Sequence, residues 1–262
     1  MHACKHPTNT CAIMVTYPAQ LAVALLSSAT TWKENTLMVV KLSYEQLSAL
    51  RRIDSPTISN AIETFQVRPC VSGYVGYDIR CIFPDLPPTV GYAVTCTVDS
   101  TTEGRQGIGF NKLYEMLANA PKPAIVVMQD VGNDRLHSCH AGEVMSTTMK
   151  RLGAVGILTD GGLRDVKEVR ALGNFQYFCA GLVVSHGNPI CVSVGDEVTI
   201  SGMRVRPGDL LHGDANGILH IPDECAEKVA EVAYSIWARE EETMRRVASP
   251  EFITFFGPEI KH

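Results

Sequence analysis

Residues Gly142–Asp165, GEVMSTTMKRLGAVGILTDGGLRD, decide the fold of this chain. In the first half, Met145, Met149 and Leu152 recur at helical spacing, and the pattern predicts an amphipathic helix. The apolar run Ala154–Thr159 follows, and its length is typical of a buried strand. A helix that leads into a buried strand indicates an α/β domain.

The strand is predicted to break at Asp160-Gly161-Gly162, and a second helical pattern starts near Asp165. The segment Asp160–Asp165 is therefore expected to lie just past the carboxyl end of a strand, where open α/β sheets bind ligands. It carries two carboxylates and one guanidinium. One Asp can bind a hard cation while Arg164 faces an anionic ligand.

Before this stretch the chain predicts two N-terminal helices. The first follows Ser43 as a cap and places Leu47 and Leu50 on one face. The second starts after Asp54, with Pro56 in its first turn, where the missing N–H costs nothing. Strand, helix and strand patterns then lead to Gly142.

After the stretch, 175–184 predicts another strand, and 192–222 alternates strands with turns. The strongest hairpin signal in it is Asn216-Gly217. Asp223 is expected to cap a long final helix that runs to about Val247, and its mixed Glu and Arg residues indicate a solvated face.

Composition excludes several classes of protein. With 262 residues, 45% hydrophobic and 19% charged, the chain can form a large core that needs no disulfide or structural metal to stabilise it. The net charge of -5 and the lack of a basic tract argue against a nucleic-acid partner. No apolar run approaches the ~20 residues that a membrane-spanning helix needs, so no membrane partner is expected.

The cysteines indicate a reducing environment. None of the nine belongs to a Cys-x-x-Cys pair, which argues against a zinc knuckle or a thioredoxin motif. Cys96, Cys179 and Cys191 lie in apolar runs and are expected to be reduced core residues. We therefore expect a cytoplasmic protein.

Residues 1–37 do not match the rest. We expect a poorly ordered N-terminal extension, followed by one catalytic domain over 38–262. Two alternatives stay open: a signal peptide, suggested by a moderately apolar stretch with small residues near Ser27, and a start placed upstream of a natural one at Met38.

The succession from Leu42 to Val247 resembles the RraA-like family, which includes the 4-hydroxy-4-methyl-2-oxoglutarate aldolases. The most specific motif, D-G-x-x-R-D, is found at Asp160–Asp165, and the Gly-acidic pair that opens a helix is Gly142-Glu143. The motif R-P-G-D-x-x-x-G-D-x-x-G matches Arg206–Gly217. The family's early S-D-A pattern corresponds to Ser59-Asn60-Ala61, where Asn60 replaces the Asp.

The resemblance implies an α/β fold built as a single layered β/β/α swivelling-type domain, with N-terminal helices and a long C-terminal helix. It implies a homotrimer or hexamer with the site between subunits, and a divalent cation, Mg²⁺ or Mn²⁺. By motif, Asp165 resembles the metal ligand and Arg164 the substrate contact. The turn Gly142-Glu143-Val144-Met145 resembles the backbone cradle for the substrate's carboxylate.

These residue types suit the cleavage of a small 2-keto acid. Breaking the bond beta to the keto group leaves an enolate, whose charge a cation and the Arg164 guanidinium can stabilise. The unpaired N–H groups at the start of the Gly142 helix suit a carboxylate. Glu143 and Asp160 are candidates to orient metal-bound water or to relay a proton.

Local pattern alone also allows simpler roles. Asp165 is equally suited to capping the next helix, and Arg164 to a surface ion pair. Glu143 suits the positive end of its helix, and Asp160 a turn beside two glycines. His137 and His140 flank Cys139, but that segment is turn-like, and we predict no role for them. Asp209 and Asp214 are expected to be structural.

The resemblance thus implies a metal-dependent lyase that releases pyruvate from 4-hydroxy-4-methyl-2-oxoglutarate or a related acid, with oxaloacetate decarboxylase activity. A Schiff-base aldolase needs a desolvated lysine, and Lys150 and Lys167 are expected in solvent-facing helical positions. A methyltransferase finds no support, because no G-x-G-x-x-G turn is present. The remaining alternative is a non-catalytic regulator that binds a protein such as an RNA-degrading enzyme. Members acting so lack the second acid of D-G-x-x-R-D, whereas this chain keeps Asp165.

Overall fold

The computed structural model describes residues 40–250 and 252, so the predicted extension 1–37 lies outside the described residues. The two N-terminal helices and the long C-terminal helix that the sequence predicts are present. The helices are α1 (Tyr44–Leu50), α2 (Ser55–Thr64), α3 (Phe110–Asn119), α4 (Glu143–Arg151), α5 (Val166–Ala171) and α6 (Val229–Val247). The strands are β1 (Arg80–Cys81), β2 (Thr89–Asp99), β3 (Ala124–Asp130), β4 (Cys139–Ala141), β5 (Ala154–Leu163), β6 (Gln176–Leu182), β7 (Ile190–Val194), β8 (Val198–Ile200), β9 (Met203–Val205), β10 (Leu210–Asp214) and β11 (Gly217–Ile221). No helix in these residues combines the length and the apolar character needed to cross a bilayer.

A mixed nine-stranded sheet forms the centre, in the order β1-β6-β5-β3-β2-β10-β11, with β4 added to β5 and β7 to β2. The strands β2, β3, β5 and β6 are parallel neighbours, and β4 is parallel to β5. Their carboxyl ends therefore meet at one edge of the sheet. The pairs that involve β1, β7, β10 and β11 are antiparallel.

Alternation along the strands divides the core into layers. Val94 and Val126 face α3, α4 and α5, from which Leu117, Met149 and Val169 pack against them. The opposite face of the sheet packs against the β8–β9 hairpin. A third cluster joins α1, α2 and α6 to β10 and β11. The α/β class and the β/β/α layering are thus confirmed.

Local signals fixed the N-terminal helices as predicted. The Ser43 hydroxyl accepts a hydrogen bond from Gln46 N at 3.3 Å, and Gln46 Oε1 accepts one from Ser43 N at 2.8 Å, which completes a capping box. Pro56 lies in the first turn of α2. Cys96, Cys179 and Cys191 are buried in the core, as expected.

Three local predictions were wrong. The strand β5 continues through Asp160 to Leu163, because β4 pairs with its second half. Asp223 does not cap α6, which begins six residues later; the intervening residues form tight turns, including Cys225 N to Pro222 O at 3.1 Å. The β10–β11 hairpin turns one residue earlier than expected, since Asp214 pairs with Gly217.

Lys150 also departs from its predicted position. Its ammonium is half-buried and donates to the carbonyl oxygens of Leu172 and Gly173, at the end of α5. These hydrogen bonds connect α4 to the end of α5 and occupy the amine with two carbonyl acceptors. Lys167 is exposed, as predicted.

Candidate functional site

A small open cleft of about 100 Å³ lies at the carboxyl edge of the parallel strands. Its walls are Cys139–Met145 from β4 and the start of α4, Arg164 and Asp165 after β5, and His186 and Pro189 from the loop after β6. The structure therefore brings together the predicted residues Gly142, Glu143, Val144, Met145, Arg164 and Asp165.

Asp165 links two elements of the cleft. It occupies the N-cap position of α5, but its side chain makes no hydrogen bond to that helix. Oδ2 instead accepts from Glu143 N, at the start of α4, at 2.9 Å. The backbone of Asp165 is left-handed, with φ 58° and ψ 43°, a conformation that Asp tolerates better than most residues. The simple role of capping α5 is therefore not what the carboxylate does.

Gly142 is the residue that makes this contact possible. A Cβ atom at this position would lie 2.3 Å from Asp165 Oδ2 and 3.1 Å from Arg164 Nε. The backbone of Gly142 is extended, with φ -137°, so any residue could adopt it. Glycine is needed here for space and not for its conformational freedom.

Arg164 faces the same carboxylate, with its Nε 3.6 Å from Asp165 Oδ2. Nη1 reaches Val184 O at 3.5 Å, a long contact that orients the guanidinium towards the loop after β6. About a third of the side chain is exposed. Nη2 has no hydrogen-bond partner among the described residues.

The start of α4 offers further donors. The first N–H groups of a helix have no partner within the helix, and only that of Glu143 is taken, by Asp165. Those of Val144 and Met145 find no acceptor in the described part of the chain. The Glu143 side chain is exposed at the rim of the cleft.

Asp160 is not brought to the cleft. Its Oδ1 accepts from Asp130 N at 2.7 Å, and its Oδ2 lies 3.9 Å from Arg135 Nη1. Burial raises the pKa of Asp160 above its ordinary value. Its geometry gives it a structural contact with the end of β3 and no contact with the predicted ligand.

His140 has a structural environment that sequence reasoning missed. The side chain is fully buried, with Nε2 2.7 Å from Asp130 Oδ2 and Nδ1 2.6 Å from Thr159 Oγ1. Burial acts to raise the pKa of Asp130, but hydrogen bonds from His140 and Ser138 outweigh it and hold the pKa below its usual value. The network binds β3, β4 and β5 together beneath the cleft.

The spacing of His137, Cys139 and His140 suggests a metal site, but the side chains of this segment do not form one in the described residues. His137 is exposed and pairs with Asp134 at 2.7 Å. Over the residues that the structure describes, no group of three or more His, Cys, Asp or Glu side chains is placed to hold a metal ion. A cation in this cleft would therefore be coordinated by one protein carboxylate, by water and by a bound small molecule.

Sequence reasoning also missed His186 and Pro189. Both lie in the loop after β6, where the sequence offers no periodic pattern. The loop is fixed at both ends, because Val183 N donates to Leu163 O at 3.0 Å and Asn188 N donates to Ser100 O at 2.8 Å. A polar residue shortly after a parallel strand was the signal that could have found His186.

Several known proteins are similar to this chain. A family model described as "RraA-like: Aldolase/RraA" matches residues 55–220. A putative 4-hydroxy-4-methyl-2-oxoglutarate aldolase from Halalkalibacterium halodurans is 31% identical over 127 residues, which cover 48% of this chain and 60% of that protein. Protein DlpA from Legionella pneumophila is 24% identical over 155 residues, 58% of this chain and 25% of DlpA. The chain thus spans under two thirds of each relative.

The fold has solved counterparts. RraAS2 from Streptomyces coelicolor, described as an unusual member of the RNase ES inhibitor RraA protein family, superposes with a TM-score of 0.61. The alignment has 22% identity and covers 78% of this chain and 98% of that structure. At this identity the likeness concerns the fold alone.

Proposed function

The chain belongs to the RraA-like family, and we propose that it is a divalent-metal-dependent aldolase. Its substrate is 4-hydroxy-4-methyl-2-oxoglutarate or a related 4-hydroxy-2-oxo acid, which it cleaves to pyruvate and a second keto acid. Oxaloacetate decarboxylation follows from the same pyruvate enolate. The observation that supports the proposal is the meeting of Arg164, Asp165 and the unpaired N–H groups of α4 in one cleft.

The α4 N-terminus would hold the substrate. The N–H groups of Val144 and Met145 point from a positive helix end, and a carboxylate suits both their hydrogen bonding and their dipole. With the carboxylate there, the neighbouring keto oxygen comes within reach of the Arg164 guanidinium. Arg164 then stabilises the negative charge that this oxygen gains as the carbon–carbon bond breaks.

The donors fit a divalent cation that is held mainly by water. Asp165 Oδ2 is bonded to Glu143 N, while Oδ1 has no hydrogen bond within the described residues, and about a third of the side chain is exposed. Mg²⁺ is commonly held by one or two carboxylates with several waters. When bound, such a cation supplies Lewis-acid stabilisation of the keto oxygen. The nearby Arg164 charge opposes its binding, so we expect weak affinity.

The alternative is a non-catalytic regulator of a protein partner, since the Streptomyces protein is described as a member of an RNase inhibitor family. The residue that separates the two is Asp165, which a regulator does not need. Its carboxylate is positioned by a backbone hydrogen bond and a dedicated glycine. This arrangement favours the enzyme.

The test is pyruvate release from both keto acids, with Mg²⁺ or Mn²⁺ and with EDTA. We expect turnover that EDTA abolishes and that Asp165→Ala removes while circular dichroism and the melting temperature stay close to wild type. Inert wild-type protein with both substrates and both metals would refute the enzyme. Near-wild-type turnover of Asp165→Ala would remove only this residue from the metal site.

A further inference from the structure

Retro-aldol cleavage requires a group that removes the proton of the substrate's 4-hydroxyl. Arg164 is always protonated, and Asp165 is committed to the Glu143 N–H and to the proposed cation. Asp160 does not line the cleft. Glu143 also lines the cleft and is the competing candidate for the base.

The histidines of this edge differ in what occupies their ring nitrogens. Both nitrogens of His140 are engaged, by Asp130 and Thr159. His137 is outside the cleft and paired with Asp134. His186 lines the cleft, and neither of its nitrogens has a hydrogen-bond partner in the part of the chain that the structure describes.

The backbone holds His186 at the cleft. The next residue, Gly187, has φ 57°, and a Cβ there would lie 2.5 Å from Ser100 O. Asn188 N donates to that same carbonyl oxygen at 2.8 Å. Glycine thus lets the loop turn tightly against Ser100, the residue that follows β2, and His186 immediately precedes this turn. A ligand that fills so small a volume while touching Arg164 is also within reach of the wall formed by His186.

We propose that His186 is the general base for the aldol cleavage, an inference that rests on the proposed function. A neutral ring nitrogen takes the proton of the 4-hydroxyl, the C4–O bond becomes a carbonyl, and the C3–C4 bond breaks. Its electron pair passes to the pyruvate enolate, whose oxygen faces Arg164. The imidazolium then returns the proton to C3, so that no oxidant or further reactant is needed.

Decarboxylation of oxaloacetate reaches the same enolate without this proton, because the bond to carbon dioxide breaks and no hydroxyl is deprotonated. Loss of a general base should therefore slow the aldol cleavage alone, whereas loss of a residue that only binds substrate should slow both reactions. His186→Gln keeps the size and hydrogen bonding but cannot accept a proton. His137→Gln is the matched control, an exposed histidine away from the cleft.

The experiment measures both reactions at saturating Mg²⁺ for wild type, His186→Gln, His186→Ala, His137→Gln and Glu143→Gln. We expect His186→Gln to lower kcat for aldol cleavage by about 10²-fold or more while oxaloacetate decarboxylation stays near wild type. Added imidazole should restore part of the aldol activity of His186→Ala. His137→Gln should match wild type in both reactions.

Equal losses in both reactions would show that His186 binds or positions the shared part of the substrate, which overturns the proposal. No loss in either would show a solvent-facing side chain, with the same consequence. A selective aldol loss in Glu143→Gln alone would transfer the role to Glu143. Inactive wild type would refute the proposed function itself, a result distinct from active wild type with unchanged variants.

Discussion

The substitution Gly142→Ala tests how closely α4 and the segment after β5 must approach. The new methyl group would lie 2.3 Å from Asp165 Oδ2, closer than atoms can come, so the carboxylate has to rotate away. The backbone of residue 142 needs no change, since its φ of -137° suits alanine. Rotation of Asp165 breaks its 2.9 Å bond to Glu143 N and releases Arg164 Nε from its partner.

The structure predicts a small cost in stability and a large cost in activity. The atom that must move is the end of a side chain, so the loss resembles that of one helix cap, about 1 kcal/mol in the free energy of unfolding. Two proposed site residues, however, leave their positions together. Misplacement of reacting groups by about 1 Å can lower the rate by about 10²-fold, and we expect a loss of at least that size.

Gly181→Ala in β6 is the control, because a Cβ there meets no atom within 4 Å. Urea unfolding and steady-state pyruvate release would be measured for both variants. We expect Gly181→Ala to resemble wild type in both assays. If Gly142→Ala keeps wild-type turnover, or loses as much stability as a core mutation, then the carboxylate contact does not organise the site.

Further predictions concern single side chains and the assembly. Arg164→Lys keeps the charge but loses the planar fork, so kcat on oxaloacetate should fall by about 10²-fold with a smaller change in KM; an unchanged kcat would contradict a role in the transition state. Burial raises the pKa of Asp160, so its ionisation in the folded protein costs stability as pH rises above about 4. The stability of Asp160→Asn in urea should therefore increase relative to wild type between pH 4 and 7, with unchanged turnover. A difference in the free energy of unfolding that does not vary with pH would contradict this. Light scattering at micromolar concentration should show a trimer or hexamer, whereas an active monomer would exclude a site shared between subunits.

Sequence reasoning was most successful where the signal is local. The Ser43 capping box and the spacing of Met145 and Met149 depend on neighbours within four residues, and both helices formed as predicted. The motif Arg164-Asp165 was placed correctly at a carboxyl strand end. Periodicity and capping are properties of short segments, which a sequence displays directly.

It failed where distant segments meet. The sequence predicts a turn at Gly161 and Gly162, but both lie within β5. A Cβ would be 2.6 Å from His140 Cε1 at Gly161 and 2.6 Å from Ser138 O at Gly162. These glycines mark the close approach of β4, a second reason for glycine in a strand. The hydrogen bonds of His140 and the wall formed by His186 depend on the same non-local pairing.

All walls of the cleft come from one unbroken stretch of chain, from Cys139 to Pro189. That stretch can in principle be exchanged between relatives as a cassette, because α4 and α5 connect its three strands without leaving it. The stretch joins the rest of the sheet where β5 pairs with β3 and β6 pairs with β1. Beside the cleft, the Ser100 hydroxyl accepts from Cys139 N, the Ser100 carbonyl oxygen accepts from Asn188 N, and Asp130 Oδ2 lies 2.7 Å from His140 Nε2. A chimera that transplants residues 139–189 should therefore keep its cleft in a host that supplies a partner strand for β5 together with the side chains of Ser100 and Asp130.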